Sequence, residues 1–375
     1  MREERILKDL NTISKRLKHE KSRYRISLYM ADYIALSTLL QITDVHIDLP
    51  IDFNLSYTLS VFNEYVKSGK EKYLNYLISS FDKSVELSSN ILDVFHSTNF
   101  YPYASKTCKN IDEEKSADYL IDFMSYMGKD VFKVFKKMYE EDRVGFFTKG
   151  SINGLTTSAY FINSQYITYA PKLDYFDSSI ISHEVGHVIH QNLNYERGVF
   201  NLIGNVFDES LSQYMELSYI DYIKSFDNNA KEIEESTYRS FYKNALSVNM
   251  INTLLSNGLI YNFGPDFKSL IDSRSGYELL FEYGYPTIED EVLRDFSYAK
   301  SLTYFVGMII ALHFLDNYKE NPRLGFKELK NFLTTAHIGT FNEKMDMIGL
   351  SELDYNNISK RLKPIVTKGN VTDGN

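Results

Sequence analysis

Hydrophobic side chains recur every three or four residues along the first part of the chain, with charged residues between them. This period matches one face of an α-helix, because 3.6 residues make one turn. The spacing predicts helices over residues 2–20, 57–69, 72–95 and 114–141. We therefore expect residues 1–142 to form an N-terminal helical lobe.

The pattern changes after this lobe. Residues 145–150, 156–162 and 164–170 are rich in Thr, Tyr, Phe and Ile, and Gly, Asn and Ser separate the three segments. Such runs are typical of short strands. Beyond Asp177 the helical pattern returns and continues almost to the end of the chain. The predicted fold is mainly α, with a small antiparallel β element beside a central helix in a second region, residues 143–375.

Length, charge and cysteine content narrow the class of protein. The chain has 375 residues, more than the roughly 250–300 at which a single core stops growing, so two lobes are expected. A net charge of −9 argues against nucleic acid as the main partner. The lone Cys108 excludes an internal disulfide framework and a cysteine-cluster metal site.

Membrane insertion and secretion are not indicated either. The longest apolar run, residues 302–315, is shorter than the roughly 18–20 residues that a membrane span needs. Charges interrupt the N-terminal segment, whereas a signal peptide has an apolar stretch there. We therefore expect a cytoplasmic protein without a membrane partner.

The central helix carries the sequence SSIISHEVGHVIHQN, residues 178–192. His183 and His187 are four residues apart, which places both imidazoles on one face of the helix, one turn apart. Both can bind one metal ion, and Glu184 at the edge of the same face can reach a metal-bound water. This is the HExxH arrangement of zinc metallopeptidases. The apolar neighbours favour this interpretation, because burying these polar side chains without a partner would be unfavourable.

A tetrahedral catalytic zinc needs a third protein ligand and keeps one position open. The pattern HExxHxxGxxH is excluded, because His190 and Leu193 stand where Gly and His are required. The other common type uses a glutamate on a following helix, and Glu209 lies 22 residues beyond His187 at the start of such a pattern. We predict His183, His187 and Glu209 as the ligands of one Zn²⁺ per chain.

Three further residues are predicted to support these ligands and orient them. Ser212 and Glu216 follow Glu209 at helical spacing. His190 lies one turn beyond His187, where a buried or supporting histidine explains it better than a fourth ligand does.

The two motifs together resemble the thimet oligopeptidase and oligoendopeptidase F family of zinc peptidases. HEVGHVIH (183–190) matches the family pattern HExGHxxH, and ESLSQYME (209–216) matches ExxSxxxE. FLTTAHIG (332–339) and DMIGL (346–350) resemble the C-terminal region of oligoendopeptidases. The resemblance covers about residues 145–365. It implies a largely helical fold with two lobes around a deep channel that admits peptides but not folded proteins.

The resemblance also implies roles for two tyrosines. The family uses a tyrosine-rich segment to stabilise the oxyanion of the reaction. Tyr304, three residues before Gly307, matches the last tyrosine of that segment, and Tyr298 is a second candidate. Ser301 and Leu302 stand where the family has additional tyrosines.

A third role implied by the resemblance concerns substrate binding. The segment SQYITYAP (164–171) resembles the strand along which substrate lies in the family. We expect the peptide backbone to pair with an edge strand formed by Tyr166, Ile167, Thr168 and Tyr169.

The sequence thus predicts a zinc-dependent endopeptidase that hydrolyses short unfolded peptides. Glu184 is expected to take a proton from the metal-bound water and to pass it to the leaving amine. Two alternatives stay open. One is a non-catalytic zinc-containing peptide-binding module, against which the intact Glu184 argues. The other is a dedicated peptidase for peptide maturation or leader processing. The sequence does not indicate the oligomeric state.

Overall fold

The computed structural model describes residues 2–42, 48–100, 113–146, 154–169, 175–199, 206–227, 230–254, 298–335, 339–350 and 355–369. The contacts divide the chain into two compact units. The first comprises Met1–Glu71, Cys108–Gly204 and Met215–Phe226, and the second comprises Lys72–Thr107, Asn205–Tyr214 and Asp227–Asn375. The domain boundary between residues 142 and 143 stays a prediction.

Helices form most of the described chain, and short strands occur in one stretch of it. In chain order the elements are α1 (Arg2–His19), α2 (Arg23–Ile42), α3 (Leu55–Ser97), α4 (Glu113–Met127), α5 (Lys129–Glu140), β1 (Val144–Phe146), β2 (Gly154–Ala159), β3 (Ser164–Tyr169), α6 (Tyr175–Glu196), α7 (Ser210–Lys224), α8 (Ala230–Leu254), α9 (Tyr298–Asn317), α10 (Pro322–Leu333), α11 (Phe341–Met347) and α12 (Tyr355–Gly369). The prediction of a mainly α fold with a small β element is confirmed.

The strands form one sheet in the order β1-β3-β2. β2 and β3 are antiparallel, with Gly154 opposite Tyr169 and Ala159 opposite Ser164. β1 runs parallel to β3, with Val144 opposite Ile167, so the sheet is mixed rather than wholly antiparallel.

This order corrects the expectation that Tyr166–Tyr169 form an edge strand. β3 is the central strand, and β2 pairs with it along its full length while β1 pairs with residues 167–169 on the other side. Its main chain is therefore occupied by neighbouring strands of the same sheet and offers no free edge to a peptide there.

In the first unit, α1 and α2 pack on one face of the sheet. The Tyr166 hydroxyl donates a hydrogen bond to Asp9 Oδ2 at 2.8 Å, and Arg2 donates to the Ile167 carbonyl at 3.1 Å and to the Thr168 hydroxyl. Since side chains alternate along a strand, Ile167 and Tyr169 lie on the opposite face. The core on the α1 side contains Ile6, Leu10, Ile13, Leu17, Tyr29, Tyr33, Leu36, Leu39, Ala159 and Tyr166.

The opposite face of the sheet carries the helix that holds the histidine motif. α6 packs against β2 and β3, and α4 packs against α6. The sheet thereby covers one side of α6.

In the second unit, α8 and α9 pack side by side, and α10 packs against α9. The rings of Phe241 on α8 and Phe305 on α9 stack with centroids 5.7 Å apart, and Phe95 at the end of α3 meets Phe241 edge to face. Burying side chains of this size contributes about 1.5–3 kcal/mol each.

Within the described ranges, none of the helices has both the length and the apolar character needed to cross a membrane.

Candidate metal centre

The HExxH motif lies in the middle of α6 rather than at one of its ends. His183 and Glu184 are buried, with 7% and 5% of their surfaces exposed, and His187 is half-buried. The two imidazole rings have centroids 5.0 Å apart. Val185 and Val188, on the other side of the helix, are fully buried. The helix therefore presents both imidazoles together while its apolar side anchors it in the core.

α7 lies against α6 at the level of this motif. Ser182 donates a hydrogen bond from its hydroxyl to the Met215 carbonyl at 3.1 Å. One residue further along each helix, His183 Nδ1 and Glu216 Oε2 are 2.9 Å apart. The carboxylate accepts the Nδ1 proton, and this leaves Nε2 of His183 as the nitrogen that can bind a metal.

Glu209 stands at the start of α7. Its carbonyl accepts a hydrogen bond from the Gln213 main-chain nitrogen at 2.9 Å, the first turn of the helix. Ser212 Oγ lies 2.9 Å from the same carbonyl and 3.1 Å from Glu209 Oε2, and its single proton can be donated to one of these two acceptors at a time. Glu209 is two helical turns before Glu216, on the same face of α7.

The three predicted ligands lie together. One nitrogen of His183, one nitrogen of His187 and one carboxylate oxygen of Glu209 are all within 4.8 Å of one another. Ligand atoms on a tetrahedral zinc, each about 2 Å from the ion, are separated by about 3.3 Å. Small rotations of the side chains therefore suffice to bind one ion. Two imidazoles and one carboxylate are also a donor set that suits Zn²⁺, so these residues fit the metal.

β2 contacts the carboxylate of Glu184 through two positions that the sequence analysis did not identify. Thr156 Oγ1 lies 2.7 Å from Glu184 Oε2 and 3.1 Å from the Glu184 carbonyl. A Cβ atom at Gly154 would lie 2.7 Å from Glu184 Oε1, so the main chain approaches the carboxylate closely. The available signal was the G-x-T sequence that leads into the predicted strand at 156–162, but it is too short to distinguish this contact from an ordinary strand.

α9 contacts Glu209, the third predicted ligand. A Cβ atom at Gly307 would lie 2.6 Å from the Cβ atom of Glu209, so only glycine allows this approach. Tyr304 is half-buried and precedes Gly307 by three residues, which places it on the same side of α9. Tyr298 begins this helix, and its side chain lies outside the described part of the structure. His190 is buried one turn beyond His187.

Comparison with known proteins gives similarities at the level of structure. No protein-family model matches the chain, and no curated protein matches it. A solved structure from Chlamydophila abortus, assigned as a peptidase, is 16% identical with a TM-score of 0.48, and the match covers 92% of this chain and 60% of that one. The chain resembles oligoendopeptidases. A structure assigned as an oligoendopeptidase F from Bacillus anthracis strain Ames is 15% identical with a TM-score of 0.40, covering 96% of this chain and 68% of that one.

A third solved structure is PZ peptidase A with an inhibitor. It is 12% identical with a TM-score of 0.45, and the match covers 99% of this chain and 86% of that one. The chain thus spans 60% of the length of the Chlamydophila protein and a larger part of the other two.

Proposed function

We propose that the protein is a zinc-dependent endopeptidase that cleaves peptide bonds in short unfolded peptides. The observation that carries this proposal is the convergence of His183, His187 and Glu209, with the buried carboxylate of Glu184 next to the first histidine on the same helix. Two imidazoles, a carboxylate ligand and an adjacent second carboxylate are the set that metal-assisted peptide hydrolysis requires.

The metal would be held by His183, His187 and Glu209. When bound, Zn²⁺ supplies Lewis-acid polarisation of the scissile carbonyl and makes water a stronger nucleophile. Glu184 acts as the general base: it accepts a proton from the attacking water and returns that proton to the amine that leaves. Glu216 keeps the His183 imidazole oriented through Nδ1, and Ser212 keeps Glu209 oriented.

Tyr304 is the residue that we propose for oxyanion stabilisation. Its hydroxyl would donate a hydrogen bond to the carbonyl oxygen as negative charge develops there. Its position supports the role, because it lies one turn before Gly307, the residue of α9 that packs against Glu209.

The test compares wild type with Glu184→Gln at matched zinc content, using mass-spectrometric profiling of a diverse peptide library. We expect wild type to cut and Glu184→Gln to keep its zinc while losing turnover by roughly 10²- to 10⁴-fold, the usual contribution of a general base. Glu196→Gln is the matched control, because it makes the same change at an exposed position of the same helix. It should cut like wild type.

If neither wild type nor the variants cut any peptide while all hold zinc, the endopeptidase proposal is wrong. A zinc-containing peptide-binding module would then be the better description.

The breadth of cleavage also bears on the biological role. Cuts in many unrelated sequences would indicate a general oligopeptidase, whereas cleavage of one sequence class would favour a dedicated enzyme for peptide maturation or leader processing. The single cysteine suits a reducing compartment, and we propose the cytoplasm as the site of this activity.

A further inference from the structure

Every second residue of β2 faces α6, beginning with Gly154 and followed by Thr156 and Ser158. Thr156 contacts the carboxylate of Glu184, and the Ser158 hydroxyl donates to the side chain of Gln191. Glu184 and Gln191 are seven residues apart, which is two turns of a helix, so both lie on the same side of α6. β2 therefore runs along this side of the helix, and one of its hydroxyl groups reaches the proposed general base.

The hydrogen bond between Thr156 and Glu184 has a defined direction. A threonine hydroxyl carries one proton, and its two nearest acceptors are Glu184 Oε2 at 2.7 Å and the Glu184 carbonyl at 3.1 Å. Hydrogen bonds to an ionised carboxylate are shorter and stronger than those to a neutral carbonyl. The hydroxyl therefore donates to Oε2, and the burial of Glu184 limits competition from water.

Gly154 determines where the other carboxylate oxygen can lie. A Cβ atom at this position would be 2.7 Å from Glu184 Oε1 and 2.5 Å from Ile180 Cγ2. The missing side chain therefore leaves the space that Oε1 occupies. Thr156 and Gly154 together hold the carboxylate in one orientation. Thr156 binds Oε2, and Oε1 lies in the space that a side chain at position 154 would fill.

We propose that Thr156 is a positioning residue for the general base: it binds Glu184 Oε2, so that Oε1 is the oxygen that takes the proton from water. This inference rests on the proposed function, because it assigns a partner to Glu184 in that role. Thr156 acts through Glu184 and is not one of the proposed metal ligands. Its loss should therefore affect the chemical step rather than zinc or substrate binding.

The test uses two substitutions at the same position. Thr156→Val keeps the shape of the side chain and removes the hydroxyl, whereas Thr156→Ser keeps the hydroxyl. With a cleaved peptide from the library, we expect Thr156→Val to lower kcat by roughly 10- to 100-fold at unchanged KM, since small displacements of a catalytic group have effects of this size. Thr156→Ser should retain kcat within a few-fold of wild type. Ser158→Ala is the control, because it removes the neighbouring hydroxyl on the same side of the strand.

Three further measurements do not depend on turnover. Competition with a chromophoric chelator should give Thr156→Val the same zinc affinity as wild type. A crystal structure of Thr156→Val should show the Glu184 carboxylate displaced from the orientation seen here, and thermal unfolding of each variant reports whether it is folded.

The outcomes separate this inference from the proposed function. If wild type cuts peptides, Glu184→Gln does not, and Thr156→Val keeps the kcat of wild type, the endopeptidase assignment stands and the positioning role is wrong. Equal losses of kcat in Thr156→Val and Thr156→Ser, or in Thr156→Val and Ser158→Ala, would also overturn the role, because they would indicate a general packing effect. If wild type cuts nothing, both proposals fail.

Discussion

Gly307 offers a direct test of whether Glu209 is a metal ligand. An added Cβ atom at this position of α9 would lie 2.6 Å from Glu209 Cβ, 2.8 Å from its main-chain carbon and 3.1 Å from its carbonyl oxygen. Two of these three atoms belong to the main chain, so a rotation of the Glu209 side chain cannot relieve the contact. In Gly307→Ala, the main chain that carries the carboxylate has to move.

The size of this movement follows from ordinary contact distances. Carbon atoms pack at about 3.5–4.0 Å, so the two segments must separate by about 1 Å. Zinc sites hold their ligand distances within about 0.2 Å, and the displacement exceeds this tolerance several-fold. Overpacking costs about 1–3 kcal/mol. If the metal-bound state carries this strain, zinc affinity falls by about 5- to 150-fold, since 1.4 kcal/mol is a factor of ten.

The metal-free protein should respond much less. Replacing glycine by alanine inside a helix contributes about 1 kcal/mol of helix stability, which offsets part of the overpacking. The free energy of unfolding without zinc should therefore decrease by about 2 kcal/mol at most. The expected signature is a loss of zinc affinity together with a decrease of no more than about 2 kcal/mol in the unfolding free energy of the metal-free protein.

The assay is competition for zinc with a chromophoric chelator, combined with urea unfolding of the metal-free protein. Gly325→Ala is the matched control, because an added Cβ atom there would press on the Tyr214 hydroxyl, which donates to the Pro322 carbonyl at 2.7 Å, and not on a ligand. Gly325→Ala should keep its zinc affinity. If Gly307→Ala binds zinc as tightly as wild type, Glu209 does not hold the metal in the way that we infer.

Three other predictions test the support of the site and of the fold. Glu216→Gln should weaken zinc binding by roughly 10- to 100-fold, because Glu216 orients His183 through Nδ1; an unchanged affinity in chelator competition would contradict this. Zinc at 100 times its Kd should stabilise the protein by about 2.7 kcal/mol, seen as a higher melting temperature that chelation reverses and that His187→Ala lacks. Burial is the main cause that raises the pKa of Tyr166, and the neighbouring Asp9 carboxylate raises it further. The neutral Tyr166 hydroxyl therefore stabilises the folded protein below about pH 10, and this stabilisation is lost as the pH rises above that value. Tyr166→Phe should therefore flatten the fall in unfolding free energy above about pH 10, measured with urea; an equally steep fall would contradict this.

Two glycines show why helix boundaries were only partly predictable. The sequence indicated separate helices over 57–69 and 72–95, yet α3 continues through Gly69. It indicated one helix over 114–141, yet Gly128, with φ of +139°, separates α4 from α5. A glycine inside a helix costs only about 1 kcal/mol, which tertiary packing readily overrides, whereas a positive φ ends a helix. The sequence does not distinguish these two cases, because packing decides between them.

The edge-strand prediction was wrong for a related reason. Alternating and β-branched residues identified β3 as a strand, but they do not specify which strands lie beside it. A strand covered on both faces has consecutive residues without charge, and the sequence of β3 has this feature. In the structure Tyr166, Ile167 and Thr168 are all fully buried.

The pairing of the two histidines in the candidate metal site was predictable because helix geometry is local. The separation of His183 and His187 follows from 3.6 residues per turn, and their position on one face needs no knowledge of the rest of the fold. Thr156 and Glu184 are 28 residues apart on different elements, so the sequence alone does not bring them together. The candidate metal ligands were thus identified by spacing, whereas the contact of Thr156 with the Glu184 carboxylate required the structure.

The two carboxylates with different proposed roles are each approached by a main chain that lacks a Cβ atom. Gly154 meets Glu184, the general base, and Gly307 meets Glu209, the ligand. Gly154→Ala should therefore lower kcat while zinc affinity stays at the wild-type value, and Gly307→Ala should lower zinc affinity. At saturating zinc, Gly307→Ala should recover more of its activity than Gly154→Ala, because added metal restores occupancy but cannot reorient the base. Equal recovery of the two variants would mean that both glycines support the fold in general and that the roles of the two glutamates are not separable in this way.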